Sequence, residues 1–384
     1  MKYTLRDYQK DSSNAAIKFF KGNSKNNAII VLPTGSGKSL VISEIANNID
    51  GNTLIFQPSK EILEQNFAKL QSYGVFDCSV YSASFNSKEI SRITFATIGS
   101  VRNNPGLFKH FTNIIIDECH LVNAKQGMYK KFLDAVPSKV LGLTATPYRL
   151  TTDGFGGSIL KFLTRTRPRV FTDLIYHAQI STLLNRGYLA KVNYYEIKSV
   201  DTSKLIINST GADYTDASVQ NHYQDIGFSD QLISVVNRLI KAKRESILVF
   251  TRFIDEAQEL VDKLNISAEI VTGKTNKKDR ERILSGFKSG KIKVVANVGV
   301  LTTGFDYPKL NTILLARPTM SLALYYQIVG RGLRPHEDKE SCWFVDMCET
   351  YKRFGKVEDL ELTSDKPNIW YIRNKERQLT NVYY

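Results

Sequence analysis

Gly35, Ser36, Gly37, Lys38 and Ser39 follow one another directly, and Asp117 and Glu118 stand together farther along the chain. Each group follows an apolar run, at 28–32 and 114–116. Glycines at 35 and 37 let backbone N–H groups, with that of Ser36, close around phosphate oxygens where a helix begins. Lys38 offers a mobile positive charge to terminal phosphates, and the Ser39 hydroxyl suits Mg²⁺. The first glycine of the usual phosphate-loop pattern is missing, since residue 32 is Leu. Asp117 at a strand end suits the same Mg²⁺, and Glu118 beside it can polarise an attacking water. Gln327, Arg331 and Arg334 sit in a later stretch, where the arginines offer charge for a developing phosphate anion. The chemistry of this set is hydrolysis of a nucleoside triphosphate, with ATP and Mg²⁺ as the expected cofactors.

These residues must be carried by elements of the right kind. Short apolar runs at 28–32, 53–56, 93–96, 114–116 and 140–143 alternate with helix-period stretches from Lys38 and at 61–70. A second series has strands at 247–250, 268–271, 294–297, 312–315 and 342–346, with helices at 255–264, 278–287 and 321–329. Such alternation predicts an α/β protein with two parallel sheets flanked by helices. The expected division is 1–188, 189–350 and a short accessory segment, 351–384, packed on the second domain. Arg331 and Arg334 then reach the phosphate loop only when the two domains close. The Gly-rich, then basic, stretch 151–170 and the polar stretch 199–228 read as irregular.

The 384 residues carry a formal net charge of +14, which favours a polyanionic partner or a broadly basic surface. Cys78, Cys119, Cys342 and Cys348 have no C-x-x-C spacing, so neither a zinc ribbon nor a disulfide framework is expected. Met1 to Arg6 lead into polar residues and no run reaches membrane-spanning length. The expected setting is a reducing cytoplasm, of a bacterium or a phage-infected host, with no membrane partner.

Taken in order, the motifs resemble those of the superfamily 2 helicases and translocases, over nearly the whole chain. Arg6 and Gln9 match the base-contacting positions of the adenine-recognition motif, and 33–39 matches motif I. Residues 57–59 and 95–100 fall where motifs Ia and Ib meet nucleic-acid backbone, which points to Ser59 and Thr97. Residues 117–120 are motif II in its DExH form. Thr144 and Thr146 resemble motif III and are placed to bridge to His120, coupling hydrolysis to domain movement. Residues 247–252 resemble motif IV, pointing to Arg252. Residues 302–306 resemble motif V, with Gly304 and Asp306 on the nucleotide side, and 326–334 match motif VI, where Gln327 also faces the terminal phosphate.

The strings 142–149, 300–306 and 327–334 are most similar to the RadD, UvsW and XPB-type DNA helicases. The chain departs from RadD in having no cysteine cluster, and from UvsW in beginning at the adenine-recognition motif. The resemblance implies two tandem RecA-like domains with ATP in the cleft between them. It also implies a monomer that unwinds or branch-migrates forked or branched DNA with 3′→5′ polarity, in repair, recombination or replication. An RNA substrate, or duplex translocation without strand separation, stays open. Lys161, Arg165, Arg167 and Arg169 lie in a stretch free of acids and are candidate DNA contacts or a solvated loop.

Overall fold

The computed structural model describes residues 4–152, 158–302 and 304–382. Thr303 of the 302–306 string, the centre of the Gly-rich stretch and the aromatics Tyr383 and Tyr384 lie outside the described residues.

Two sheets form the frame. The first has eight strands, ordered in space Asp173–His177, Ala28–Val31, Lys139–Thr144, Asn113–Asp117, Thr53–Phe56, Ile93–Ala96, Cys78–Ser82 and Ser87–Lys88. All pair in parallel except the last two, which are antiparallel. The second has six parallel strands in the order Lys191–Glu196, Ser341–Asp346, Thr312–Ala316, Ile247–Thr251, Val294–Val298 and Ala268–Thr272. Central strands such as Ala28–Val31, Thr53–Phe56 and Ile247–Thr251 are buried along their whole length. That explains why their sequences are continuous apolar runs rather than alternating ones. Several of the flanking helices start where the sequence supplies a cap. Ser59 accepts from the Ile62 N–H, Asn276 from Asp279 and Ser321 from Leu324, each satisfying one orphan donor of a first turn.

Strand order places the chemistry. Three neighbouring strands of the first sheet end together, with Val31 in register with Thr144 and Leu143 with Asp117. Their carboxyl ends therefore set the phosphate loop, Thr144 with Thr146, and the two acids side by side.

Several expectations change. Among the described residues of 151–170, the part up to 162 is regular: Tyr148–Thr152 and Ser158–Phe162 pair as antiparallel strands, with Arg149 opposite Lys161. Residues 199–228 contain the helix Asp216–Asp225 and lead into a second helix, Phe228–Lys241. The first is polar because only Val219, His222 and Tyr223 face inward, too few to mark a periodic stripe. Strands Cys78–Ser82 and Asp173–His177 join the first sheet although neither is a plain apolar run. The tail packs on both sheet units, not the second alone. Tyr325 donates to the Gly355 carbonyl and Tyr194 to Glu358, both at 2.7 Å. Farther on, the hairpin of Glu361–Ser364 and Trp370–Arg373 meets the first unit, where the Gln179 amide exchanges bonds of 2.7 and 3.1 Å with the Leu362 backbone. Asn381 then bonds the edge of the basic hairpin at Leu160 and Phe162. Among the described residues, no helix is long and apolar enough to cross a membrane.

Candidate active site

The helix Lys38–Asn48 begins where the strand Ala28–Val31 has turned through the loop 32–37. Gly37 is its N-cap at φ 79, in the left-handed region, where a side chain is strained. A Cβ there would also stand 2.6 Å from the Gln9 amide nitrogen. Gln9 and Tyr8 hold the loop from outside, both donating to the Ser36 carbonyl, at 2.8 and 2.7 Å. The Ser36 hydroxyl is buried with no partner among the described residues. Such an orphan in a glycine-bounded loop at a helix N-terminus fits a polyanion there.

Asp117 ends its strand and Glu118 turns the chain at φ 50. Asp117 is buried, accepts from the Glu118 N–H at 3.0 Å and has the Asn66 amide 3.4 Å away. Burial and the adjacent Glu118 charge push the Asp117 carboxyl up, against the pull of Lys38. Burial would raise Glu118 too, but Lys38 and His120, with Arg331 behind them, hold it below the usual carboxylate range. The contacts agree: Glu118 lies 3.5 Å from Lys38 Nζ and 3.3 Å from His120 Nδ1. A hydroxyl, a buried carboxylate and a lysine form a hard-oxygen, cation-balanced set that fits Mg²⁺ with a triphosphate. Ser39 and Asp117 would hold the metal. His120 is fixed by Thr144 Oγ1 at 2.9 Å and Thr146 Oγ1 at 3.1 Å.

The second sheet unit supplies the opposite wall of a cleft of about 340 Å³, through Gly304, Asp306, Gln327, Arg331 and Arg334. The two units approach closely, since a Cβ on Gly330 would stand 2.7 Å from Thr34 Cβ. Arg331 and Arg334 each donate to the Phe305 carbonyl at 2.8 Å, and Arg334 also pairs with Asp306 at 3.0 Å. Burial and the charge of Arg334 lower the Arg331 pKa, with Glu118 and Asp306 acting against them. Gln327 Nε2 lies 3.4 Å from His120 Nε2, so its first contact is the histidine of motif II.

At one end of the loop, Arg6 lies over the Tyr188 ring at 4.6 Å and donates to the Tyr188 carbonyl. Tyr8 and Tyr188 are themselves 5.5 Å apart. Neither tyrosine was legible as part of the site. Asn66, one helix away, and Arg149, which donates to the His120 and Leu121 carbonyls, were also missed. Lone polar residues on a helix face or strand carry no spacing signal.

The nucleic-acid candidates fare unevenly. Arg165, Arg167 and Arg169 are exposed beyond the hairpin, and Lys161 is half-buried on it. The Ser59 hydroxyl caps its helix, and the Thr97 hydroxyl bonds Ser100 at 2.9 Å. Gln57 of the 57–59 string is buried and bonds Asn66 at 2.9 Å. Arg252 is mostly engaged within the protein. Its side chain is 9% exposed and is held by Asp216 at 2.8 Å, the Tyr214 carbonyl at 2.6 Å and Asp213 at 3.8 Å. The intervening helix Asp216–Asp225, which the sequence did not reveal, brings Asp216 there.

Residues 2–149 match the family model described as "Type III restriction enzyme, res subunit", and 231–336 match "Helicase conserved C-terminal domain". A 51.5 kDa protein of Lactococcus phage (isolate 7-9) is 30% identical over 85% of this chain and 67% of its own length. The DNA 3′-5′ translocase XPB2 of Sulfurisphaera tokodaii is 27% identical over 88% of this chain and 80% of its own. The chain spans 51% to 67% of the first three curated relatives it matches. The structure of the ATP-dependent Type ISP restriction-modification enzyme LlaBIII bound to DNA superposes with a TM-score of 0.66 at 19% identity, covering 91% of this chain and 28% of that one.

Proposed function

The chain belongs to the superfamily 2 helicases and translocases, of the XPB type, and from that premise we propose that it is an ATP-driven motor acting on DNA. The observation that carries this reading is the shared cleft, with Lys38, Asp117 and Glu118 on one wall and Gln327, Arg331 and Arg334 on the other. Residues 1–188 and 189–350 are the two motor domains, and 351–384 is an accessory segment.

In this reading the backbone of 35–39 cradles the triphosphate, while Arg6 and Gln9, with Tyr188, hold the base end. Bound ATP would supply the phosphoanhydride bond, and Mg²⁺, which Ser39 and Asp117 would hold, a charge that neutralises its phosphates. Lys38 binds the terminal phosphates, and Glu118, kept ionised by Lys38 and His120, orients a water and takes its proton. Arg331 and Arg334 meet the charge that develops as the bond breaks. Because those arginines belong to the other sheet unit, hydrolysis requires closure, and release of phosphate permits opening. His120, Thr144, Thr146 and Gln327 connect the two events.

The net charge of +14 and the exposed Arg165, Arg167 and Arg169 support backbone-directed DNA binding, which is salt-sensitive and sequence-independent. Ser59, Thr97 and Lys161 are weaker contacts in this scheme. The substrate is forked or branched DNA, unwound or branch-migrated 3′→5′ by a monomer during repair, recombination or replication. A relative described as a 3′-5′ translocase favours the polarity. It also favours a second reading, duplex translocation without strand separation.

A panel of fork, Holliday-junction, bubble and linear DNAs, with matched RNAs, tests this. ATP-dependent strand separation of forks or junctions is expected. Triplex displacement without strand separation selects the second reading, and stimulation by RNA alone overturns the choice of DNA.

A further inference from the structure

The turn that aims Glu118 is short and held from two sides. Glu118 sits at φ 50, a conformation that persists only when its surroundings impose it. The 3₁₀ turn Cys119–Leu121 follows, closed by the Leu121 N–H to the Glu118 carbonyl at 3.0 Å. From one side, Thr144 and Thr146 bind the His120 ring. From the other, Nη1 of Arg149 donates to the carbonyls of His120, at 3.3 Å, and Leu121, at 3.0 Å. One guanidinium thus caps the backbone of the turn as a basic side chain caps a helix C-terminus.

Arg149 is not part of that turn. It belongs to the hairpin strand Tyr148–Thr152, in register with Lys161 on the partner strand. The chain leaves this hairpin through Arg165, Arg167 and Arg169, all exposed. Arg167 lines the same groove as Arg149, with Leu163 and Thr166, so a polyanion lying along these cations bears on the segment that carries Arg149.

We propose that Arg149 is a positioning residue that couples occupancy of the basic hairpin surface by nucleic acid to the aim of Glu118, through the carbonyls of His120 and Leu121. It rests on the reading that ATP hydrolysis here is stimulated by nucleic acid. When a strand settles on the hairpin, Arg149 carries the displacement into the turn, and Glu118 and His120 move with it. A bound strand then accelerates hydrolysis without touching the nucleotide.

Steady-state ATP hydrolysis with and without saturating single-stranded DNA tests the coupling, on the full chain and on Arg149→Ala and Arg149→Lys. In Arg149→Ala the ratio of stimulated to basal kcat should fall about tenfold, within the usual range for coupling between two sites. Its KM for ATP should stay within about twofold, because no uniform binding contact is lost. Arg149→Lys should recover part of the ratio, since an ammonium can hold the same carbonyls as a point donor. A stimulation ratio equal to wild type in Arg149→Ala overturns the proposal. So does an equal loss with and without DNA, the signature of a merely structural residue. Should Arg149→Ala not fold, a wild-type ratio together with a raised KM in Arg149→Lys overturns it equally. A wild-type enzyme indifferent to every nucleic acid overturns instead the reading on which the inference rests.

Discussion

Gln327 and His120 face each other across the cleft, nitrogen to nitrogen at 3.4 Å, and they belong to different sheets. The same histidine lies 3.3 Å from Glu118. A movement of the second unit therefore reaches Glu118, the carboxylate proposed to activate water, through one side chain. Replacing Gln327 with Ala should leave the KM for ATP within about threefold and lower DNA-stimulated kcat by about 10²-fold, the cost of losing one preorganised donor. Steady-state kinetics separate the two; a rise in KM with kcat intact would make Gln327 a binding residue only.

Arg165, Arg167 and Arg169 are exposed and acid-free in sequence. Converting all three to Gln should weaken DNA binding and reduce the slope of log affinity against log salt by roughly 2 for single strands or 3 for duplex. Fluorescence-anisotropy titrations at several salt concentrations measure it. An unchanged slope would remove this surface from the DNA path.

Arg252 should behave in the opposite manner. It is 9% exposed and holds Asp216 and the Tyr214 carbonyl, so Arg252→Ala should cost about 2 kcal/mol of folding stability through lost charge-assisted hydrogen bonds. DNA affinity of the folded variant should stay within about twofold of wild type, a change worth under 1 kcal/mol. Urea unfolding and the same titrations distinguish the roles.

Glu256 caps the start of the helix Ile254–Lys263 with Oε1, while its Oε2 is buried without a partner among the described residues. Burial pushes its carboxyl up to about 7, against backbone bonds from Phe253 and Arg252. The folded form thus holds a proton that the unfolded chain has released above about pH 4.3. Its contribution is full below that pH and is lost as pH rises toward 7. Glu256→Gln should therefore be more stable than wild type at pH 8, by roughly 2–3 kcal/mol, with the gap closing by pH 5. Urea midpoints at the two pH values check it, and an equal gap at both would assign the effect to packing.

Legibility followed burial. The strands Ala28–Val31, Asn113–Asp117 and Ile247–Thr251 are buried throughout, so their apolar runs marked them, and the first two lead into the candidate site at the phosphate loop and at Asp117 with Glu118. The phosphate loop, Asp117, Glu118, Arg331 and Arg334, which line one cleft, could be proposed from sequence because the spacing within each motif is local. The helix Asp216–Asp225 and the hairpin of Tyr148–Thr152 with Ser158–Phe162 were not, because each buries only part of a face and mixes polar with apolar residues. Arg252 shows the consequence: its neighbour Asp216 lies on the helix that carries no periodic signal, so the ion pair between them could not be foreseen. Nothing in the sequence of 361–382 announces Gln179 or Leu160 as partners, so the contact of the tail with the first unit is not legible there. Such pairings arise only when distant segments fold together.

The central claim is that one hydrolysis site is built from two sheet units. ATP hydrolysis on forked DNA should be compared for wild type, Lys38→Ala and Arg331→Ala, with nucleotide binding measured in parallel. Both variants should lose about 10³-fold or more in kcat, and Arg331→Ala should still bind ATP within about tenfold of wild type. An Arg331→Ala protein that hydrolyses ATP at the wild-type rate, while Lys38→Ala is inactive, would confine the site to the first unit and contradict the claim.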